Sequence, residues 1–211
     1  RKILTEYKTP SALNTAEFTE KKSRFIASVA PVSDVLQAES FINSVKAKHR
    51  DARHNVYAYL LRDGRTMRYS DDGEPQGTAG QPILKVIGSF DVCDCAVVVT
   101  RYFGGILLGT GGLQRAYSHA AQLGLKGSEI INMKLYRRSI IICSYDMYGR
   151  IASLVGDCGG RINDSIFTDN VKIDVNIPFN LADFFASQIY SATSGGIMPE
   201  YIENVYCKCS V

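Results

Sequence analysis

The sequence predicts an α+β protein built of two domains, and three observations carry that reading. At 211 residues the chain is long for one average domain and comfortable for two small ones. Apolar positions recur every second residue in some segments and every third or fourth in others, the periods of half-buried strands and amphipathic helices. The second half runs strand, helix, strand twice over, with a Gly-Gly pair after each helix; the first half has a different grammar. The boundary is expected between Gly127 and Leu135, which gives domains of residues 1–132 and 133–211.

In the first domain Phe25, Ala27 and Val29 alternate with other residues as a strand that Pro31 ends. Ser33 is placed to cap a helix whose inner face is Val35, Ala38, Phe41, Ile42 and Val45. A basic stretch, Lys46 to His54, leaves that helix and leads into an apolar strand, Val56 to Leu61. Asp63-Gly64 signals a hairpin turn. Residues 70–82 are dense in turn formers and acidic at the centre, and the period of Ile83 to Ile87 does not choose between helix and strand. Cys95 to Thr100 is a continuous, mostly β-branched run, the best strand signal in the chain. A glycine-rich loop follows, then a helix from Leu113 with Ala116, Tyr117, Ala120 and Gly124 on one face.

In the second domain a strand at Arg138–Ser144 precedes a helical stripe of Tyr148, Ile151, Leu154, Val155 and Cys158. Strands at 161–168 and 171–177 flank an Asp169-Asn170 turn. Asn180 is placed to cap a second helix, with Asp183 three residues on, and a last strand runs from about Tyr201 to Cys209. The order β-α-β-β-α-β is the split βαβ, or ferredoxin-like, plan.

Composition narrows the class. Hydrophobic residues make up 45% and charged residues 21%, ordinary globular usage that supplies a core. No window approaches the roughly 18 uninterrupted apolar residues of a membrane span, and Arg1 to Lys8 is polar, so the expected location is the cytoplasm, away from membranes. Of six cysteines, four form Cys-x-Cys pairs, Cys93/Cys95 and Cys207/Cys209. That spacing is tighter than zinc sites use and no histidine completes either pair, so they read as reduced core residues with no metal. The net charge is +3, unevenly placed: residues 1–130 carry 17 Lys and Arg against 13 Asp and Glu, residues 131–211 carry 7 against 8. The first domain is the side for an anionic partner.

Gly104, Gly105, Gly109, Gly111 and Gly112 lie between a buried strand and a helix, where several N–H groups can converge on one anion. Arg101 and Arg115 flank the loop and suit phosphate. Named nucleotide motifs fail: Thr110 stands where a Walker A lysine belongs, and Gln114 replaces the last glycine of a dinucleotide fingerprint. No cofactor is expected. The competing reading is that the glycines only allow tight strand–loop–helix packing. Asp71, Asp72 and Glu74, with His54 or His119, are candidates for a hydrolytic centre; the blander reading, which we favour, is a solvated turn. No catalytic triad or nucleophile pairing is recognisable, so no residue is assigned a catalytic role.

Asp72-Gly-Glu-Pro-Gln-Gly-Thr-Ala-Gly-Gln-Pro-Ile-Leu84 and Val98-Val-Thr-Arg-Tyr-Phe-Gly-Gly105, continued by Leu108-Gly-Thr-Gly-Gly-Leu-Gln-Arg-Ala-Tyr117, closely resemble the signature of the IMPACT family of translation regulators. Lys21-Lys-Ser-Arg-Phe25 and His54-Asn-Val-Tyr-Ala58 are similar to it as well. The resemblance covers the first domain, and the second half resembles the small domain that bacterial members append. It implies a ribosomal-protein-S5-domain-2-like fold followed by a ferredoxin-like domain, a pair similar to the last two domains of the translocating elongation factor, which contact ribosome and RNA. Eukaryotic members bind the activator of an initiation-factor kinase through a further module that is not found in these 211 residues.

Three functions are thereby set against one another. The first is binding of ribosome, RNA or another anion, with Lys46, Lys48, Arg50, Arg53, Arg101 and Arg115 on phosphates, Tyr102 and Phe103 stacking on bases, and the five loop glycines between them. The second is a hydrolase at Asp71, Asp72 and Glu74. The third is an adaptor that offers the ferredoxin-like sheet to a protein partner.

Overall fold

The structure, a computed structural model, describes residues 3–209, and these fall into two compact units. One is Tyr7–Asn132; the other begins at Met133 and takes in the N-terminal stretch up to Glu6. The sequence reading placed that stretch in the first domain. Its partners explain the difference: the Leu135 N–H donates to the Thr5 carbonyl, Lys134 pairs with Glu6 at 3.6 Å, and the Tyr206 hydroxyl donates to the Leu4 carbonyl.

The chain runs β1 (Glu6–Pro10), β2 (Asn14–Glu20), β3 (Ser23–Pro31), α1 (Val35–Lys48), β4 (His54–Leu60), β5 (Met67–Ser70), α2 (Gly80–Ser89), β6 (Cys95–Tyr102) and α3 (Gly109–Lys126). Strands β2 to β6 form one antiparallel sheet in the order β2-β3-β6-β4-β5. On one face Val97 and Val99 join Phe25, Ile83, Leu113 and Tyr117 in a core under α2 and α3. On the other, Ala96 and Val98 meet Ala38, Ile42 and Val45 of α1. Strand β6 is covered on both sides, which is why its run shows no alternation.

The second unit is β7 (Ile130–Cys143), α4 (Tyr145–Asp157), β8 (Arg161–Phe167), β9 (Val171–Pro178), α5 (Ala182–Ala192) and β10 (Glu200–Lys208). Its strands lie antiparallel in the order β10-β7-β9-β8, the ferredoxin-like arrangement. Both helices bury one sheet face through Ile141, Val155, Ile173, Phe185 and Ile189.

Several local expectations need correction. The cap of α1 is Asp34, not Ser33: its Oδ1 accepts from the Gln37 N–H at 2.8 Å, and Gln37 reaches back to the Ser33 N–H at 2.9 Å. Asn180 caps nothing; a 3-10 turn, Phe179–Leu181, leads into α5 instead. The undecided stretch 83–87 lies inside α2. Helix α3 starts at Gly109, so three of the loop glycines form its first turn. Strands β1 and β2 had no counterpart in the sequence reading.

Candidate functional site

Residues 71–74 are not a solvated turn. Asp71 turns inward and accepts from the N–H groups of Gly77, Ala79 and Gly80 at 2.8, 3.0 and 2.8 Å, so it caps α2 from a distance. Asp72 accepts from the Asn55 N–H at 2.6 Å and pairs with Lys46 at 2.9 Å. Glu74 is buried, its side chain 4% exposed, and receives Arg101 and the Tyr117 hydroxyl on the same oxygen, each at 2.7 Å. Burial first, then the charge of Glu74, push the Tyr117 phenol far above its ordinary pKa, so it stays a hydrogen-bond donor. Each carboxylate holds part of the fold, and the described residues hold no cluster of three metal-ligating side chains.

Arg101 stands at the centre of this network. It pairs with His54 across β4 and β6, and its guanidinium lies 5.5 Å from the ring centres of both Phe25 and Phe103. With a side chain only 5% exposed and a carboxylate partner, it is not the surface phosphate contact that the sequence suggested. Its Nε is the one buried side-chain nitrogen or oxygen without a hydrogen-bond partner among the described residues. His54 gives Nδ1 to the Asp72 carbonyl at 2.8 Å, and its Nε2 lies 3.8 Å from Glu74, beyond a hydrogen bond. Next along β6, Thr100 faces the opposite layer and donates to Asn55 at 2.7 Å.

The glycine loop leaves this anchored strand end. A Cβ at Gly104 would sit 2.0 Å from the Lys22 carbonyl carbon, so a glycine is required where the loop crosses the Lys21-Lys22 turn. Gly105 and Gly109 have φ of +86° and +71°, which L side chains rarely adopt. Gly111 and Gly112 lie in the first turn of α3, which no side chain caps. Two hollows open on either side of Leu108. One, of about 350 Å³, is lined by Arg53, His54, Glu74, Arg101, Phe103 and Thr110 among others. The other, of about 390 Å³, has Lys21, Arg115 and His119 in its wall, with Glu20 as its one acid.

The cations expected at the site thus separate into two groups. Lys46 and Arg101 are consumed by Asp72 and Glu74. Lys48, Arg50, Arg53 and Arg115 are exposed, and among the described residues no carboxylate lies within ion-pair distance of them. Tyr102 is half-buried, its hydroxyl shared between His49 at 2.9 Å and Asp51 at 3.2 Å, so its ring is a brace. Burial, followed by the charge of Lys48, lowers the His49 pKa. Phe103, Ile106 and Leu107 are exposed, Leu107 by 82%. Sequence reasoning overlooked Lys21 and Lys22 as site residues, and also Ser23, Thr110 and Tyr117. The missing signal was strand register, which alone brings the β2–β3 turn beside Gly104.

The open face of the ferredoxin-like sheet centres on Arg138, which holds Asp174 at 2.6 Å and Glu203 at 3.2 Å, with Asn163 and Asn176 alongside. Two acids surround one cation, a poor landing place for phosphate and a polar centre for an adaptor face. The six cysteines are free.

The Impact N-terminal domain model matches residues 21–125, and a domain of unknown function, DUF1949, matches residues 141–195. The IMPACT family member YigZ of Escherichia coli is 35% identical over 92% of this chain and 97% of its own. YvyE of Bacillus subtilis, of the same family, is 33% identical over 92% and 89%. A crystal structure of a hypothetical protein superposes with a TM-score of 0.67 at 34% identity, covering 95% of this chain and 99% of that one.

Proposed function

This chain belongs to the IMPACT family, and from that premise we propose that it is a translation-associated factor that binds ribosomal or other structured RNA through the glycine-loop end of its first unit. The observation that carries the reading is the gathering there of cations that have no acid partner among the described residues. Lys21 and Arg115 line one hollow, Arg53 lines the other, Lys22 lies under Gly104, and Lys48 and Arg50 lead up to Arg53. The uncapped start of α3 adds the positive end of a helix dipole between them. Such a surface binds by releasing counterions from phosphates, so affinity falls steeply with salt.

The test is binding to purified ribosomes and to a structured RNA across a salt series. The variant carries Lys21→Asn, Lys22→Asn, Arg53→Gln and Arg115→Gln; Asn is chosen because residues 21 and 22 have positive φ. Loss of four phosphate contacts lowers the slope of log affinity against log salt by about 3, at roughly 0.7–0.9 per contact. Wild-type binding that is indifferent to salt, or a variant that binds undiminished, refutes the proposal.

A further inference from the structure

Exposed cations suffice to neutralise a phosphate backbone; the 350 Å³ hollow on the Arg53 side of Leu108 is a further feature that this does not use. We propose that it receives a single nucleotide unit, the base inside and the phosphate at its mouth. The proposal rests on the RNA-binding reading and names what enters that site.

Its size falls within the range of small-ligand sites. Pro75, Phe103, Leu108 and Leu113 provide apolar wall for a flat ring, and the polar groups are few and convergent. Two of them have unused hydrogen-bonding capacity that faces the hollow. Glu74 spends Oε1 on Arg101 and Tyr117, and no hydrogen bond from a described residue falls on its Oε2. His54 has Nδ1 occupied and Nε2 without a partner in hydrogen-bond range. Arg101 lies in the same wall, but its unpaired Nε is sealed from the hollow. The hollow thus offers two acceptors side by side, Glu74 Oε2 and His54 Nε2, the pattern that the amino group and ring N–H of a nucleobase answer. A bare phosphate or carboxylate in the interior would meet the Glu74 charge, and an aliphatic chain would leave both acceptors unsatisfied. At the mouth the preference reverses: Arg53, Thr110 and the uncapped N–H groups of α3 favour an anion. Neutral edge within and negative group without is the chemistry of a nucleotide, whether free or as an unpaired residue of a strand.

Thr110→Glu is the decisive variant. A carboxylate in the first turn complements the helix dipole and keeps α3 folded, yet it repels a phosphate at the mouth. The full chain is titrated with each nucleoside 5′-monophosphate, with inorganic phosphate, and with one RNA sequence as single strand and as duplex. Backbone resonances of Phe103, Thr110 and Leu113 are followed, with Lys85→Gln on the exposed side of α2 as control. We expect a monophosphate or the single strand to shift these resonances, and Thr110→Glu to weaken that binding about tenfold. Binding of monophosphates assigns the free ligand; binding of the single strand alone assigns an unpaired residue. The proposal is overturned if inorganic phosphate binds as well as any nucleotide, or if Thr110→Glu binds undiminished. It is also overturned if neither monophosphates nor single strand reach these residues. In that last case, salt-sensitive duplex binding would leave the RNA reading standing, whereas loss of all RNA binding would remove both.

Discussion

Replacing Glu74 with Gln changes one oxygen to an amide and leaves the shape of the buried network intact. The oxygen that accepts from Tyr117 can remain, but the charge facing Arg101 is gone. Both side chains are at most 5% exposed, so water cannot take over the solvation of the guanidinium. Breaking a buried pair by removing one partner costs about 3–5 kcal/mol, most of it from the orphaned charge. For a unit of this size each kcal/mol moves the melting temperature by roughly 3–5 °C, so Glu74→Gln lowers Tm by about 10–20 °C. Urea unfolding followed by a probe in Tyr7–Asn132 gives the free energy directly. The double variant Glu74→Gln with Arg101→Met completes a cycle: with the charge removed as well, it recovers a large part of the loss. A single-variant cost below about 1 kcal/mol, or no recovery in the double variant, would refute the view that burial keeps water from solvating this pair.

Asp71→Ala removes the acceptor of three N–H groups at the start of α2 and costs about 2 kcal/mol, seen as faster hydrogen exchange at Ala79 and Gly80. Gly104→Ala drives a methyl into the Lys22 backbone and destabilises by about 1–3 kcal/mol, with exchange rising over the Lys21–Arg24 turn. Hydrogen bonds from Arg138 hold the Asp174 carboxyl below its ordinary pKa, against burial, with Asn163 assisting. A depressed folded value means that this stabilisation is complete above the unfolded pKa, about 3.9, and is lost as pH falls through the folded one. In Arg138→Gln the second unit therefore loses less of its stability on acidification, measured as urea midpoints from neutral pH downward.

The architecture was legible where burial writes itself into composition. Val56–Leu61 and Cys95–Thr100 are apolar because their strands are covered on both faces, and the two Gly-Gly pairs mark real helix ends. Short-range chemistry was less visible. The cap of α2 lies eight and nine residues upstream of the groups it holds, so no local pattern around Ile83 reveals a helix. Strand β2 is half-exposed at a sheet edge and carries no strong period. At the site, residue types pointed to cations and glycines but not to their partners. Arg101 and Arg115 look equivalent as flanks of the loop, yet β6 carries the first into the interior opposite Glu74 while α3 leaves the second in solvent. The acidic turn misled for the same reason: Asp-Asp-Gly-Glu-Pro has the composition of a surface loop, and only the fold turns its carboxylates inward.

The hydrogen bond from Tyr206 to Leu4 joins residues 202 positions apart, and the whole of the first unit lies between them. During synthesis residues 3–6 emerge ahead of that unit but must wait for β7, and then for β10, before their bonds can form. The first unit can close as soon as Asn132 has left the exit tunnel; the second stays open until almost the last described residue is released. A stand-alone version of the second unit accordingly needs residues 3–6 spliced ahead of residue 133, because a fragment cut simply at residue 133 loses the partners of Lys134, Leu135 and Tyr206.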